Sequence, residues 1–589
     1  PPTSRSIDSI WPCAGDIPLT ASNRVKNQLD GGEAILEAFR NLNVEYVISS
    51  PGSEWPPVWE AFARQKTKGM AGPTYLDCGH ETLAVGVAFG YTQVTGRMQA
   101  VLLHAGSGLL QGAMGIQGAR AYEIPMVVMS GESLSYGEQE GFEPGNQWYR
   151  NLGVVGGPQR LVAPIVKWAN QAPSSETLYQ SVVRAGEMAK RGPRGPVYLN
   201  VPCETMILDW TPPKALRKTP EPPKTQPLSA DIERVARLIA EAKCPVIITE
   251  TAGRDPAAVS ALVELAELMA IPVLEGRAAA HANFPKSHPL HLGSNIAPLL
   301  KEMDLALLVA SRVPWYPPSN TPPHATVVAI AENPLKDHMV YQNLEADVYL
   351  EGDVGTSLSL LTAALKQRGL SADQLKERYT RWSSEHDKIA TKSKSTKEKD
   401  RSAEKISTAL LCETLNEVLP ADAIYVDETI IHSPAIREHL HWDEPQSFFR
   451  IPSGLGQGFG IALGTKLGAP KRPVVLLIGD GSFLYNPVLP ALTFSKDQDL
   501  PVLVVILNNN KYEVMRRTHV NWYPGGVSDT EKLHYGVHIE NPDYSALAAW
   551  TGGSGFRVEK PAMLKQAVKD AYAAVSKGKT AILNVMMNE

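Results

Sequence analysis

GDGSFLYNPVLPALTFSKDQDLPVLVVILNNNKY (residues 479–512) is the stretch whose reading decides the fold. An apolar run, PVVLLIGD (473–480), leads into the Gly-Asp-Gly turn, and a second, PVLVVILNN (501–509), closes the stretch. Between them Asn486-Pro487 offers an N-cap and first-turn pair for a short helix. Strand, Gly-rich turn, helix and strand in that order make a parallel βαβ unit. Its two strands end at one rim, where open α/β sheets bind their ligands. Asp480 ends one strand and Asn508-Asn509 the other, so a carboxylate and an amide oxygen converge there. Hard oxygen ligands of this kind suit Mg²⁺, which commonly also takes phosphate oxygens. Gly479 and Gly481 let backbone N–H groups face an anion at close range. GDG alone reads as a tight turn; the full βαβ unit behind it gives the pair its weight.

The same alternation of short apolar runs and helical patterns continues outward through the chain, the mark of parallel α/β sheets. Towards the start lie VEYVISS (44–50), PTYLD (73–77), MQAVLLH (98–104) and IPMVVMS (124–130). The middle holds CPVIITE (244–250), IPVLEG (271–276), LALLVAS (305–311) and ATVVAIA (325–331), and AIYVDE (423–428) opens the last third. A proline-crowded stretch, 211–231, and a Lys-rich one, 388–405, separate these blocks. At 589 residues the chain exceeds what one core supports. The expected architecture is three doubly wound parallel-sheet domains: 29–210, 228–370 and 406–589, with 371–405 as linker and 1–28 as an extension.

Composition excludes several partners. Lys+Arg is 57 against Asp+Glu 62, a net charge of −5, so there is no basic excess to neutralise a phosphate backbone, and nucleic acid is not expected. No apolar run approaches the ~20 residues of a membrane helix. The five cysteines are scattered without a CxxC pair, and the start lacks the pattern of a secretory signal, which together suggest a cytoplasmic protein. No G-x-G-x-x-G follows a strand, so the nicotinamide-binding signal is missing.

With 26 residues between Gly481 and Asn508, the segment resembles the thiamine-diphosphate motif of the acetolactate synthase, benzoylformate decarboxylase and pyruvate decarboxylase superfamily. The resemblance implies Mg²⁺ held by Asp480, the Asn509 side chain and the Lys511 carbonyl. It further implies cofactor contacts at Glu428, Thr429, Gly479, Gly481, Ser482 and Tyr512. CGHETLAVGVAFGYTQVTGR (78–97) looks like the family's activating-glutamate helix, with Glu81 on the pyrimidine N1′ so that the thiazolium C2 proton can leave as the ylide forms. SGLGQGFGIALG (453–464) places Leu455 where a bulky apolar side chain wedges between the cofactor rings. In isolation Glu81 is a first-turn acid favoured by the helix dipole, and Leu455 is a core residue. The resemblance covers most of residues 30–589, including GRAAAHANFPKSHPLHLG (276–293) in the middle block. It names the domains pyrimidine-binding, central and diphosphate-binding, and implies a homodimer or homotetramer with active sites shared between subunits.

Local detail favours the benzoylformate decarboxylase-like branch. SPGSEWPPVWEAF (50–62) resembles that branch's substrate-carboxylate loop, with Ser53 as its serine, and VLLHAGSGLLQGAMG (101–115) puts His104 at its acid/base histidine. Read without the family, Ser53 is a loop hydroxyl and His104 a core histidine. Two departures stand out: Pro314 occupies the place of a second catalytic histidine, and Glu513 follows Tyr512 where glycine is usual. Glu513 is therefore a candidate replacement acid/base group. His80 and His432 lie near the expected site with no assigned role. The implied function is a decarboxylase or carboligase acting on a 2-keto acid or aldehyde. The alternatives are a 2-hydroxyacyl lyase and a non-catalytic, cofactor-binding homologue. On the lyase reading the middle block binds a nucleotide portion, with Arg254, Arg277 and Arg312 as phosphate partners. A flavin there (FAD) is a further option.

Overall fold

The computed structural model describes residues 29–587, apart from 134–147, 149–151, 341–344, 369–370, 403–404, 452–453 and 541. The extension 1–28, with Cys13, lies outside the described residues. Three sheets follow one another along the chain, parallel throughout.

The first sheet contains β1 (Tyr46–Ser49), β2 (Thr74–Asp77), β3 (Gln99–Leu103), β4 (Met126–Glu132), β5 (Trp168–Gln171) and β6 (Pro196–Pro202), in the order β2-β1-β3-β4-β6-β5. The second contains β7 (Pro245–Thr249), β8 (Val273–Glu275), β9 (Leu305–Val309), β10 (Thr326–Ala331) and β11 (Val348–Glu351), in the order β11-β10-β9-β7-β8. The third contains β12 (Ile424–Glu428), β13 (Phe448–Arg450), β14 (Val474–Gly479), β15 (Leu503–Asn508), β16 (Ser554–Val558) and β17 (Ala581–Met586), in the order β13-β12-β14-β15-β17-β16. The inner strands are apolar on both faces, as helices covering both sides of a sheet require. Setting aside the far edges, where β5 and β16 lie beyond β6 and β17, each order reverses direction once: between β1 and β3, between β7 and β9, and between β12 and β14. Those three reversals mark the crevices where such sheets hold ligands.

The first and third sheets share one core. Leu83, Val87 and Phe89 of the Glu81–Thr95 helix pack in the same cluster as Phe459, Ile461 and Leu463 of the Gly458–Gly468 helix. The helices touch backbone to backbone: a Cβ added at Gly86 would lie 3.0 Å from the Gly460 Cα, and one at Gly464 only 2.0 Å from the Val87 carbonyl oxygen. Contacts advance together, 86 with 460 and 94 with 468, so the helices run parallel and their N-terminal ends lie side by side. Each buried Leu, Ile or Phe contributes about 1.5–3 kcal/mol, so this seam fixes the two domains firmly. The second sheet has a core of its own. The charged stretch expected to link the domains forms a 31-residue helix, Ala372–Ser402, tied to the central domain by buried Trp382 and to the third by a Ser393–His439 hydrogen bond of 2.9 Å.

Candidate active site

The β1/β3 crevice collects the first group. The loop after β1 carries Ser53, exposed, and Glu54, whose side chain is fully buried. Glu54 accepts the Ala105 N–H at 2.6 Å through Oε1 and pairs with His104 Nδ1 at 2.8 Å through Oε2. His104 stands directly after β3. Its hydrogen bond to Glu54 raises its pKa above the free value against the pull of burial, and the Glu81 charge adds to the rise. Holding the proton on Nδ1 leaves Nε2 for a substrate, since the side chain is 22% exposed. Glu81 opens the helix after β2, where the His80 ring accepts the Thr82 N–H as N-cap. The Glu81 carboxylate lies against Gly108: a Cβ there would come within 2.9 Å of both Glu81 Oε1 and the His104 Cβ. Only glycine permits this approach. Ser53, His104 and Glu81 thus share one rim, and Glu54, passed over in the sequence, orients the histidine. Its signal was its place, directly after Ser53 in the same loop.

The β12/β14 crevice collects the second group. Asp480 is buried at the end of β14; Oδ1 accepts the Gly481 N–H at 2.9 Å, while Oδ2 has no partner. Burial raises the Asp480 pKa, opposed by the N–H groups of Gly481, Asn510 and Lys511 and by the His432 charge. Asn508 is spent internally, donating to Asn584 at 3.1 Å and accepting from the Asn510 N–H. Asn509 accepts the Lys511 N–H at 3.2 Å, so its amide stays at the rim. Gly481 lies under the Tyr512 ring, which a Cβ would meet at 2.4 Å.

Glu428, buried at the end of β12, turns inward instead of towards a ligand. Its oxygens accept the N–H groups of Gly456, Gln457 and Gly458 and the Asn486 amide, at 2.7–3.1 Å. Burial pushes its pKa up to about 7 against those bonds. Glu428 therefore shapes the loop that presents Leu455, and Asn486, unnoticed as a site residue, completes the clamp. Thr429 and Ser482 are buried beside these turns, and Thr429 bonds Asp427 at 2.7 Å.

Glu513 begins the helix after the Asn run with its side chain 4% exposed. Arg516, Arg517 and Lys511 surround it at 2.6, 3.0 and 3.3 Å. The Arg516 hydrogen bond leads the charges that hold its carboxyl down at about 2. A carboxylate held ionised by three cations is a poor proton donor, so the geometry speaks for a role in fixing the Lys511 segment. His432 meets Thr408 at 2.8 Å. Pro314 is buried. In the central domain, Arg254 and Arg312 line the β7/β9 crevice, whereas Arg277 stands apart over the Tyr316 ring.

The two rims meet at the paired N-terminal ends of the Glu81–Thr95 and Gly458–Gly468 helices. A Cβ at Gly454 would touch Met114, and one at Gly79 would lie 3.6 Å from Pro490. The donor set fits a diphosphate with a hard cation: Asp480 Oδ2, buried and unpartnered, beside the Asn509 amide and the backbone at Lys511, under turns without side chains.

Comparisons with known proteins agree. The description "Thiamine pyrophosphate enzyme, N-terminal TPP binding domain" matches residues 29–148, its central domain 232–361 and its C-terminal TPP binding domain 432–585. Benzoylformate decarboxylase of Pseudomonas aeruginosa is 26% identical over 92% of this chain and 96% of its own. Acetolactate synthase large subunit of Haemophilus influenzae is 24% identical over 93% of each. Benzoylformate decarboxylase of Polynucleobacter necessarius superposes with a TM-score of 0.75 at 21% identity, covering 95% of this chain and 99% of that one. A 4-hydroxybenzoylformate decarboxylase of Rhodococcus jostii RHA1 gives 0.74 at 23%, covering 95% and 98%. The chain belongs to the thiamine pyrophosphate enzymes, as a lyase or transferase of the acetolactate synthase and benzoylformate decarboxylase kind.

Proposed function

We propose that the protein decarboxylates a 2-keto acid and either releases the aldehyde or joins the acyl unit to a second carbonyl. The observation that carries this reading is the Glu54–His104 pair beside Glu81: a histidine kept protonated to higher pH, in the rim that holds the activating carboxylate. Thiamine diphosphate, when bound, supplies the carbanion chemistry and the electron sink. In this reading Asp480, the Asn509 amide and the Lys511 carbonyl would hold Mg²⁺, and the first turn of the Asp480–Tyr485 helix, entered through Gly479, would border the diphosphate with Tyr512. Glu81 would hydrogen-bond the pyrimidine end. His104 hands a proton from Nε2 to the substrate or product and is recharged through solvent, Glu54 keeping the ring aligned. Ser53 orients the substrate carboxylate from the exposed lip of the same crevice. Leu455, presented by the Glu428 clamp, fills the space between the two rims.

A second copy of the chain completes the site. Leu110 and Met114, one helical turn apart, and Leu484, Tyr485 and Leu489 expose apolar surface around the meeting point of the rims, at 44–62% exposure. Apolar patches at a site mouth mark interaction surfaces. A cytoplasmic setting belongs to the same reading and is supported by Cys78, Cys203 and Cys244, which remain buried thiols. No helix among the described residues is long and apolar enough to cross a membrane.

Incubation of the cofactor-loaded protein with 2-keto acids, alone and with aldehydes, followed by mass spectrometry of the products, tests this reading. Loss of CO₂ with formation of aldehyde or 2-hydroxyketone is expected; no turnover of any 2-keto acid would overturn it.

A further inference from the structure

The central domain has its own crevice at the β7/β9 reversal, the position where an open sheet of this kind receives a nucleotide. Its lining mixes both signs, with Asp255, Glu332 and Asp353 beside Arg194, which pairs with Glu332, but Arg254, Arg312 and Lys336 gather on one side of it with Asn333. Its space is too small. The cavity measures about 60 Å³, against the ~300–1,000 Å³ of pockets that enclose organic ligands. The reason is an intruder from the N-terminal domain.

The helix Gly106–Ala121 ends in this crevice. Arg312 Nη1 donates to the Ala121 carbonyl at 3.0 Å, covering a C-terminal oxygen the helix leaves open, and the guanidinium lies 5.1 Å from the Tyr122 ring centre. Glu123 follows with φ 55°, a left-handed conformation that turns the chain at the helix end. Its side chain, 8% exposed, meets Arg254 Nη1 at 2.9 Å and Lys336 Nζ at 2.6 Å. Burial would raise its pKa, but the Arg254 and Lys336 charges overcome this and hold it at about 2. The loop after β9 is fixed from below, because Glu250 accepts the N–H groups of Arg312 and Val313 at 2.8 and 3.2 Å.

We propose that the central crevice is an anion seat filled by the chain itself: the Glu123 carboxylate stands where the phosphate of a nucleotide or flavin would lie, so the protein operates with this crevice closed. The residues present then do not fit a bound FAD or nucleotide, and the 2-hydroxyacyl lyase alternative loses the seat its nucleotide portion needs. The contact also anchors the far end of the helix whose Gly108 lies against Glu81, so the central domain steadies the proton-transfer rim. This inference concerns a different site from the proposed reaction and stands or falls separately.

The test is calorimetric titration of the cofactor-loaded full chain with inorganic phosphate, with ADP and with FAD, and an absorbance spectrum of the purified protein. Wild type is expected to lack flavin absorbance and to bind none of the three in this crevice. Glu123→Ala, which frees the cations while Ala121 and Tyr122 still fill the space of a nucleoside, is expected to gain inorganic phosphate binding at least ~10-fold tighter than any seen with wild type, or about 1.4 kcal/mol. Adding Arg254→Ala should remove that gain. Glu123→Gln, which keeps the side-chain volume, serves if the alanine variant does not fold, and a smaller gain is expected from it. Flavin or ADP bound by wild type would overturn the proposal, as would wild-type-like indifference to inorganic phosphate in every folded Glu123 variant.

Discussion

The first and third sheets have the same strand order and the same reversal, yet their crevices hold opposite chemistry. In the first, the loop after β1 sends Glu54 across to the loop after β3, where it fixes His104 and leaves an ionisable ring at the rim. In the third, Glu428 at the end of β12 also fixes backbone, the 456–458 loop, but what reaches the rim is Asp480 and the Asn509 amide, with buried His432 close enough to act on the Asp480 charge. On the proposed reading, one architecture serves proton transfer at one end and cation and phosphate binding at the other. The difference lies in the side chains at strand ends. The parallel helix seam, with its glycines, brings the two ends together.

Asp480→Ala should do most to break this division: Mg²⁺-dependent retention of thiamine diphosphate should vanish in calorimetry, and turnover with it, while the proton rim stays folded. Unchanged affinity would remove the metal assignment. Glu81→Gln should separate the rims cleanly, keeping cofactor affinity within a few fold while turnover falls by ~10²–10⁴. Near wild-type turnover would detach Glu81 from the chemistry.

Glu54→Gln sharpens the account of the first rim. The Glu54 contact raises the folded pKa of His104 above the unfolded value of 6.5. Its contribution to stability is therefore complete below about pH 6.5 and lost as pH rises through the raised value. In the variant the His104 titration, followed by NMR, should move down towards 6.5, and the alkaline limb of activity should shift down with it. An unmoved titration would show that Glu54 does not tune the ring.

The smallest effect is expected for Glu513→Gln. Releasing Lys511, Arg516 and Arg517 should loosen the third rim and weaken cofactor binding a few fold, leaving the ratio of aldehyde to ligation product unchanged. A changed ratio would instead establish Glu513 as the replacement proton donor.

The runs that read as strands in the sequence form the inner β1, β3, β4, β7, β9, β10, β12, β14 and β15 and two edge strands, β2 and β8. β5, β11, β13 and β16 went unread because they are short sheet edges without a long apolar run: β5, β11 and β16 are partly exposed, and β13 is only three residues, two of them buried phenylalanines. Inner β6 and β17 were passed over for another reason. A buried asparagine interrupts each run, Asn200 bonding Gln171 and Asn584 bonding Asn508. In the site, single-residue motifs such as Asp480 in GDG carried their own signal. Glu54, Asn486 and Glu123 did not, because each acts on a partner 27 to 213 residues away.

By itself the sequence determined the repeated α/β plan, the strand-end positions of Asp480, Asn509 and His104, the helix-start position of Glu81 and, through the resemblance of its motifs to a known family, the cofactor class. Period and motif are local properties, and strand ends place side chains at a rim whatever else the chain does. Only the tertiary structure decided that Glu428 is spent on backbone, that Glu513 is neutralised by three cations, and that Glu123 enters the crevice of another domain. Charge state and burial depend on what the rest of the chain brings within about 4 Å, where a Coulomb interaction outweighs solvation, and no window of sequence contains that neighbour.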